Sequence, residues 1–197
     1  MKLLLANLFV VTEPRPAQLR HALADLLGLP DERIDVAHED GDQEGRDWEA
    51  PVLCTYCPLP PGDLALSLDI TVTESAAGDL TEADLARGIA ARLGSSVLHP
   101  AESYPPSAYW AAVPDGRMVR CSIEPIEPIE PVEPEYGADT APYPYRVYGV
   151  AEQVPDLPPP PPPTPLLPTP PPPTPSPPPP SPSPPTPEPP PSLPTPP

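Results

Sequence analysis

From Leu64 to Val72 the side chains alternate: Leu64, Leu66, Leu68, Ile70 and Val72 are apolar, and Ala65, Ser67, Asp69 and Thr71 are small or polar. A period of two belongs to a strand with one buried and one wet face. The period then changes. Thr81 stands where an N-cap is wanted, with Asp84 three residues on, and Leu80 and Leu85 have the spacing of a hydrophobic staple. Leu85, Ile89 and Leu93 recur every four residues, Ala86 and Ala90 widen the stripe, and Gly94 takes the place of a left-handed C-cap. The pattern predicts a strand followed by a helix laid across a sheet.

The same pair occurs earlier. Lys2 to Val11 is apolar on both faces, which predicts an inner strand, either covered above and below or paired on both edges. Pro16 suits a first helical turn, Leu19, Leu23, Leu26 and Leu27 supply a buried stripe, and Gly28-Leu29-Pro30 is a stop signal. Ile34, Val36 and His38 predict a short strand, Glu39 to Glu49 an acidic loop, and Val52 to Cys57 another strand. Ser96 to Leu98 is short enough to read as an edge strand. Ala108 to Val113 and Met118 to Ile123 flank Pro114-Asp115-Gly116-Arg117, the clearest hairpin turn in the chain. Tyr143, Tyr145 and Val147 alternate as a last strand, which Pro142 and Pro144 confine to a sheet edge. Together these elements predict an α+β domain over residues 1–150, a mainly antiparallel sheet with two helices packed on it.

Composition sets the limit of that domain. The chain has 197 residues and 45 prolines. Most of the proline lies after Pro155, among Thr, Ser and little else, so residues 151–197 read as a disordered polyproline II tail without the apolar content of a core. Leu157 ahead of six prolines is the place in it that an aromatic-lined groove would take. Between 123 and 142 an Ile-Glu-Pro repeat begins at Ile123, Ile126 and Ile129 and continues as Val132-Glu133-Pro134. Its period of three suits a polyproline II strap with one apolar edge, or a neutral expansion in a loop.

Charge narrows the function classes. With 28 acidic residues against 10 Lys and Arg, the net charge is −18. Binding to nucleic acid or to anionic lipid needs basic side chains that displace counterions, so both are disfavoured, and a basic protein is the partner such a field would steer in. Three cysteines do not make a disulfide framework, and they read as small buried thiols in a reducing compartment. The apolar run behind Lys2 is broken by Asn7 and followed by Glu13-Pro14-Arg15 with no small-residue cleavage site, which predicts a cytoplasmic protein. No run is long enough to span a membrane.

Motifs that carry chemistry are scarce. Asp40, Asp42, Glu44 and Gly45 match the first half of a calcium loop, but Pro51 stands where its closing Glu belongs. Cys54 and Cys57 have redox spacing, yet Pro58, Pro60 and Pro61 forbid the helix that would lower a thiol pKa, and residues three apart on a strand face opposite ways. No G-x-S-x-G elbow, phosphate loop or H-E-x-x-H is present, and no cofactor is implied. His99 before Pro100 has no evident partner. Tyr109 and Trp110 point to opposite faces of their strand, so one of them is available for a contact. The candidate partner-binding residues are Glu39, Asp40, Asp42, Glu44, Asp47, Trp48, Tyr109 and Trp110.

At Trp48-Glu49-Ala50-Pro51-Val52, the Leu64 to Val72 strand, the Leu80 to Gly94 helix and Pro106-Ser107-Ala108-Tyr109-Trp110, the chain resembles small uncharacterised α+β proteins of GC-rich actinobacteria. In size, acidity and layout it is also similar to immunity proteins that neutralise toxins. That second resemblance implies occlusion of a basic partner by an acidic face. The expected function is a non-enzymatic binding protein of this kind. The alternatives are a thiol- or metal-dependent protein using Cys54, Cys57 and Cys121, or a spacer or surface protein in which the proline-rich tail does the work.

Overall fold

A computed structural model of the protein describes residues 3–101, 105–126 and 142–159. Lys2, residues 127–141 of the repeat and residues 160–197 of the proline-rich tail lie outside that range. The architecture is α+β, a mainly antiparallel sheet of eight strands carrying helices.

The strands are β1 (Leu3–Val10), β2 (Ile34–His38), β3 (Val52–Pro58), β4 (Leu66–Thr73), β5 (Val97–Pro100), β6 (Ala108–Ala112), β7 (Met118–Pro125) and β8 (Tyr145–Tyr148), in the spatial order β2-β3-β4-β1-β5-β6-β7-β8. The helices are α1 (Pro16–Leu27), α2 (Glu74–Ala77) and α3 (Glu82–Leu93). Among the described strands, only β2 and β3 run parallel. β1 pairs along its whole length with β4, from Leu3 opposite Thr73 to Val10 opposite Leu66, and β5 joins its other edge at Phe9 and Val10. The doubly apolar first strand is therefore inner by pairing on both edges. It is not covered on both faces, since Leu5 remains 63% exposed.

Both long helices start and stop as their sequences dictate. On α3 the Thr81 N–H and hydroxyl donate to Asp84 Oδ2 at 3.1 and 2.7 Å, and the Asp84 N–H donates back to Thr81 Oγ1 at 3.2 Å. Such a reciprocal cap is worth about 1 kcal/mol and fixes the start of the helix. Gly94 closes it at φ 66°, and Gly28 closes α1 at φ 65° with the Leu29 N–H folded back on the Ala24 carbonyl. The short α2 occupies part of what the sequence pattern reads as a plain turn.

The alternation of β4 holds: Leu66, Leu68, Ile70 and Val72 point under the helices and are fully buried. They meet Ala6, Leu8 and Val10 of β1, Val52 and Cys54 of β3, Leu19 and Leu23 of α1, and Leu85 and Ile89 of α3 in one core. A second core lies on the opposite face. It is built from Leu98, Ala111, Val119, Cys121, Ile123 and Val147, with Phe9, Tyr109 and Tyr145 packed against it.

Three expectations change here. β5 is an interior strand between β1 and β6, because four residues suffice when both edges find partners. The first Ile-Glu-Pro unit is the end of β7, with Ile123 buried opposite Val147, so strand pairing overrides the polyproline II period at that unit. Leu157 is buried together with Val150 and Val154 in the second core and is not a free docking side chain. Ordered packing thus continues past residue 150. There the Asp156 carboxylate takes the Ser96 N–H at 2.6 Å and the Ser96 hydroxyl at 2.7 Å, tying the segment to the start of β5.

Candidate functional site

The eight predicted binding residues fall in three places. Glu39, Asp40, Asp42, Glu44, Asp47 and Trp48 lie together in the loop between β2 and β3, all exposed. Tyr109 and Trp110 face opposite ways across β6. Tyr109 packs against Phe9 in the second core, with centroids 5.9 Å apart, and burial pushes its hydroxyl pKa up. Trp110 is on the helix side of the sheet.

The acidic loop has a built shape. Glu39 still pairs with β3 through its N–H to the Tyr56 carbonyl at 2.9 Å, and the His38 Nδ1 accepts from the Asp40 N–H at 3.0 Å. Asp42 Oδ1 accepts the Glu44 N–H at 2.9 Å, a self-contained Asx turn. The anchor is Arg46. Its side chain is only 5% exposed, its Nε donates to Asp35 Oδ2 at 2.8 Å and one terminal nitrogen donates to Thr55 Oγ1 at 2.9 Å. The Trp48 ring covers the guanidinium at 4.7 Å, and the indole N–H donates to the Gln43 carbonyl at 3.2 Å. Trp48 nevertheless stays 58% exposed. Arg46 thus turns an acidic loop that would splay by self-repulsion into a fixed surface with an aromatic at its end.

The cysteines do not converge. Cys54 is in the core beneath the helices, Cys57 is on the opposite face, and Cys121 is in the second core. Burial pushes Cys54 and Cys121 up to about 12. Cys57 is raised to about 11, by burial first and then by a hydrogen bond with Glu39. Thiols so shifted hold almost no thiolate at neutral pH. Among the described residues no three His, Cys, Asp or Glu side chains gather as a metal would require. No helix among them is long and apolar enough to cross a membrane.

Sequence reasoning missed a half-open cleft of about 540 Å³ between the start of α3 and the sheet. Glu82 and Arg87 of α3 form one wall, and His99, Trp110, Met118 and Arg120 of β5, β6 and β7 form the other. The register explains the second wall: His99 is opposite Trp110, and Trp110 is opposite Arg120. His99 is 7% exposed. Its Nδ1 lies 2.9 Å from the Pro100 carbonyl, which can only accept, so Nδ1 carries the proton and Nε2 a lone pair. That Nε2 is buried with no partner among the described residues. Burial holds the imidazole pKa below its usual value, and so favours the neutral ring. Of its lining, Trp110 alone was a predicted binding residue, and no sequence signal joined it to the others, because the groups come from four separate elements with no motif spacing.

Compared with known proteins, the chain matches no family model, no curated sequence and no solved structure.

Proposed function

We propose that the protein is a non-enzymatic binding protein that presents the Glu39 to Glu49 loop, with Trp48 at its end, to a basic partner protein in the manner of an immunity protein. The observation that carries this reading is Arg46, buried beneath the loop and bonded to Asp35 and Thr55. An acidic segment kept only for solubility needs no such anchor. A preorganised acidic surface gives up less entropy on binding, and its charge accelerates encounter with a cationic partner. Trp48 supplies the kind of large, half-exposed aromatic that dominates binding energy in interfaces. Thiol chemistry finds less support, given the raised pKa of all three cysteines.

The test compares the full chain with a triple variant, Asp42→Asn, Glu44→Gln and Trp48→Ala, as baits in native lysate, followed by association kinetics of any captured protein across a salt series. A basic protein held by the native chain and lost by the variant, with an association rate that falls steeply with salt, is the expected result. Equal capture by both baits, or a rate indifferent to salt, overturns the reading.

A further inference from the structure

The cleft between α3 and β5 to β7 lies on the opposite face of the sheet from the Arg46 loop, because Asp35 and Thr55 alternate with the helix-side residues Ile34, Val36 and Cys54. Its chemistry is unlike the rest of the surface. In a chain of net charge −18, two of ten Lys and Arg side chains line this one cavity. Arg120 has no carboxylate partner among the described residues and is held only over the Trp110 ring, at 5.7 Å. Arg87 reaches Asp84 Oδ1 at 3.2 Å on an exposed turn, a pair that water screens and a ligand can outbid. On the acceptor side, Glu82 uses one oxygen to take the Asn7 N–H at 2.9 Å and keeps the other for a ligand, and His99 Nε2 has no partner among the described residues. An unpaired buried nitrogen is costly, and a hydrogen-bond donor brought to it would recover that cost.

The geometry points to a binding site for a small zwitterion of the amino acid class, a carboxylate and an ammonium on an apolar body. The guanidinium groups of Arg120 and Arg87 take the carboxylate. Glu82 and the neutral His99 imidazole take the ammonium, and Trp110 with Met118 receive the apolar side chain. Each polar group of the cleft then has a counterpart of opposite character. A plain anion would leave Glu82 opposing it and His99 still unpaired. The volume falls in the range of small-molecule sites and accommodates a free amino acid or a dipeptide, which share this chemistry.

Isothermal titration calorimetry of the full chain tests the assignment with leucine, phenylalanine and leucylleucine, and with N-acetylleucine, leucinamide and inorganic phosphate as partial ligands. The expected result is saturable heat with at least one zwitterion and an affinity weaker by about tenfold or more for each partial ligand, the effect of losing one charge-assisted hydrogen bond. Arg120→Gln and Glu82→Gln should each weaken binding by a similar factor, Arg120→Gln at an unchanged melting temperature, and Arg146→Gln, paired with Glu124 and outside the cleft lining, should leave binding unchanged. Because Arg120 is exposed, its variant folds and keeps the test decisive. No heat with any zwitterion, N-acetylleucine or phosphate binding as tightly as leucine, or Arg120→Gln binding like the native chain would overturn the assignment.

Discussion

Phe9 and Tyr145 touch, their ring centroids 5.0 Å apart, although four strand-to-strand steps separate β1 from β8 in the sheet. At about 4.8 Å per step a flat sheet would hold them about 19 Å apart. The half of the sheet from β1 to β8 is therefore curled over its own face, and the second core fills the curl. The loop after β3 completes it: the Asp63 N–H donates to the Tyr145 carbonyl at 2.8 Å, and its carboxylate takes the Val147 N–H at 2.8 Å, so the outer edge of β8 has partners. A double-mutant cycle with Phe9→Leu and Tyr145→Leu should show a coupling of about 0.5–1.5 kcal/mol in chemical denaturation. Strictly additive losses would mean that the ring pair does not hold the curl.

Arg46 is the second place where one side chain organises distant segments. Arg46→Met strands the Asp35 carboxylate, itself only 14% exposed, with the long Asp47 N–H contact at 3.3 Å as its remaining bond. Removing one member of a mostly buried pair costs about 3–5 kcal/mol, and the partial exposure of Asp35 places the loss at the low end. In a Trp110→Phe background, fluorescence anisotropy of Trp48 should fall as well, since its ring loses the guanidinium beneath it. Anisotropy equal to that of the parent would show that the loop holds its shape without Arg46.

Asp156 predicts a contrast between positions. Asp156→Ala leaves the Ser96 N–H and hydroxyl, in a fully buried residue, without acceptors, and urea unfolding should register about 1–3 kcal/mol. A stop codon after Val150 removes Val154 and Leu157 as well and should cost more. Asp115→Ala, on an exposed turn, should change stability little. A native midpoint for Asp156→Ala would show that the clasp to β5 contributes nothing.

Cys54 sets a pH dependence. Its thiol titrates at about 12 in the fold, against an ordinary 9.0, because it is buried. Between those values the folded chain keeps a proton that the unfolded chain releases, so stability is complete below about pH 9 and falls as pH rises towards 12. The slope from this one group is at most about 1.4 kcal/mol per pH unit. Melting curves at pH 8, 9, 10 and 10.5 should show the native chain losing stability faster than Cys54→Ala. Parallel decline of the two proteins would assign the loss to other groups.

Much of the fold was legible in the chain because local rules agreed. Leu66 to Val72 alternates and Thr81 to Gly94 caps and stops as the sequence says, although Leu64 falls outside the strand and packs in the second core, and the Pro114 to Arg117 turn joins β6 to β7 with Gly116 at φ 91°. β5 was misread because a four-residue strand looks marginal until its partners are known, and those lie far along the chain. The curl was invisible for a related reason: it depends on Phe9 meeting Tyr145, a contact no local pattern encodes. The acidic loop could be read, but its rigidity could not. Arg46 looks like any surface cation until Asp35 and Thr55 are seen beneath it. The cleft around His99 was the least legible, since its register partners are set by tertiary pairing alone.

Each partner of β1 is far along the chain from it, β4 ending at Thr73 and β5 beginning at Val97. The Ser96 clasp waits a further 60 residues for its acceptor. So many distant pairings raise the loop-closure cost that must be met before contacts reward it, and the search for remote strands is expected to limit the folding rate. Until those remote strands dock, the leucine side chains of β1 lack the neighbours that bury them, and that interval is when the folding chain is most open to self-association.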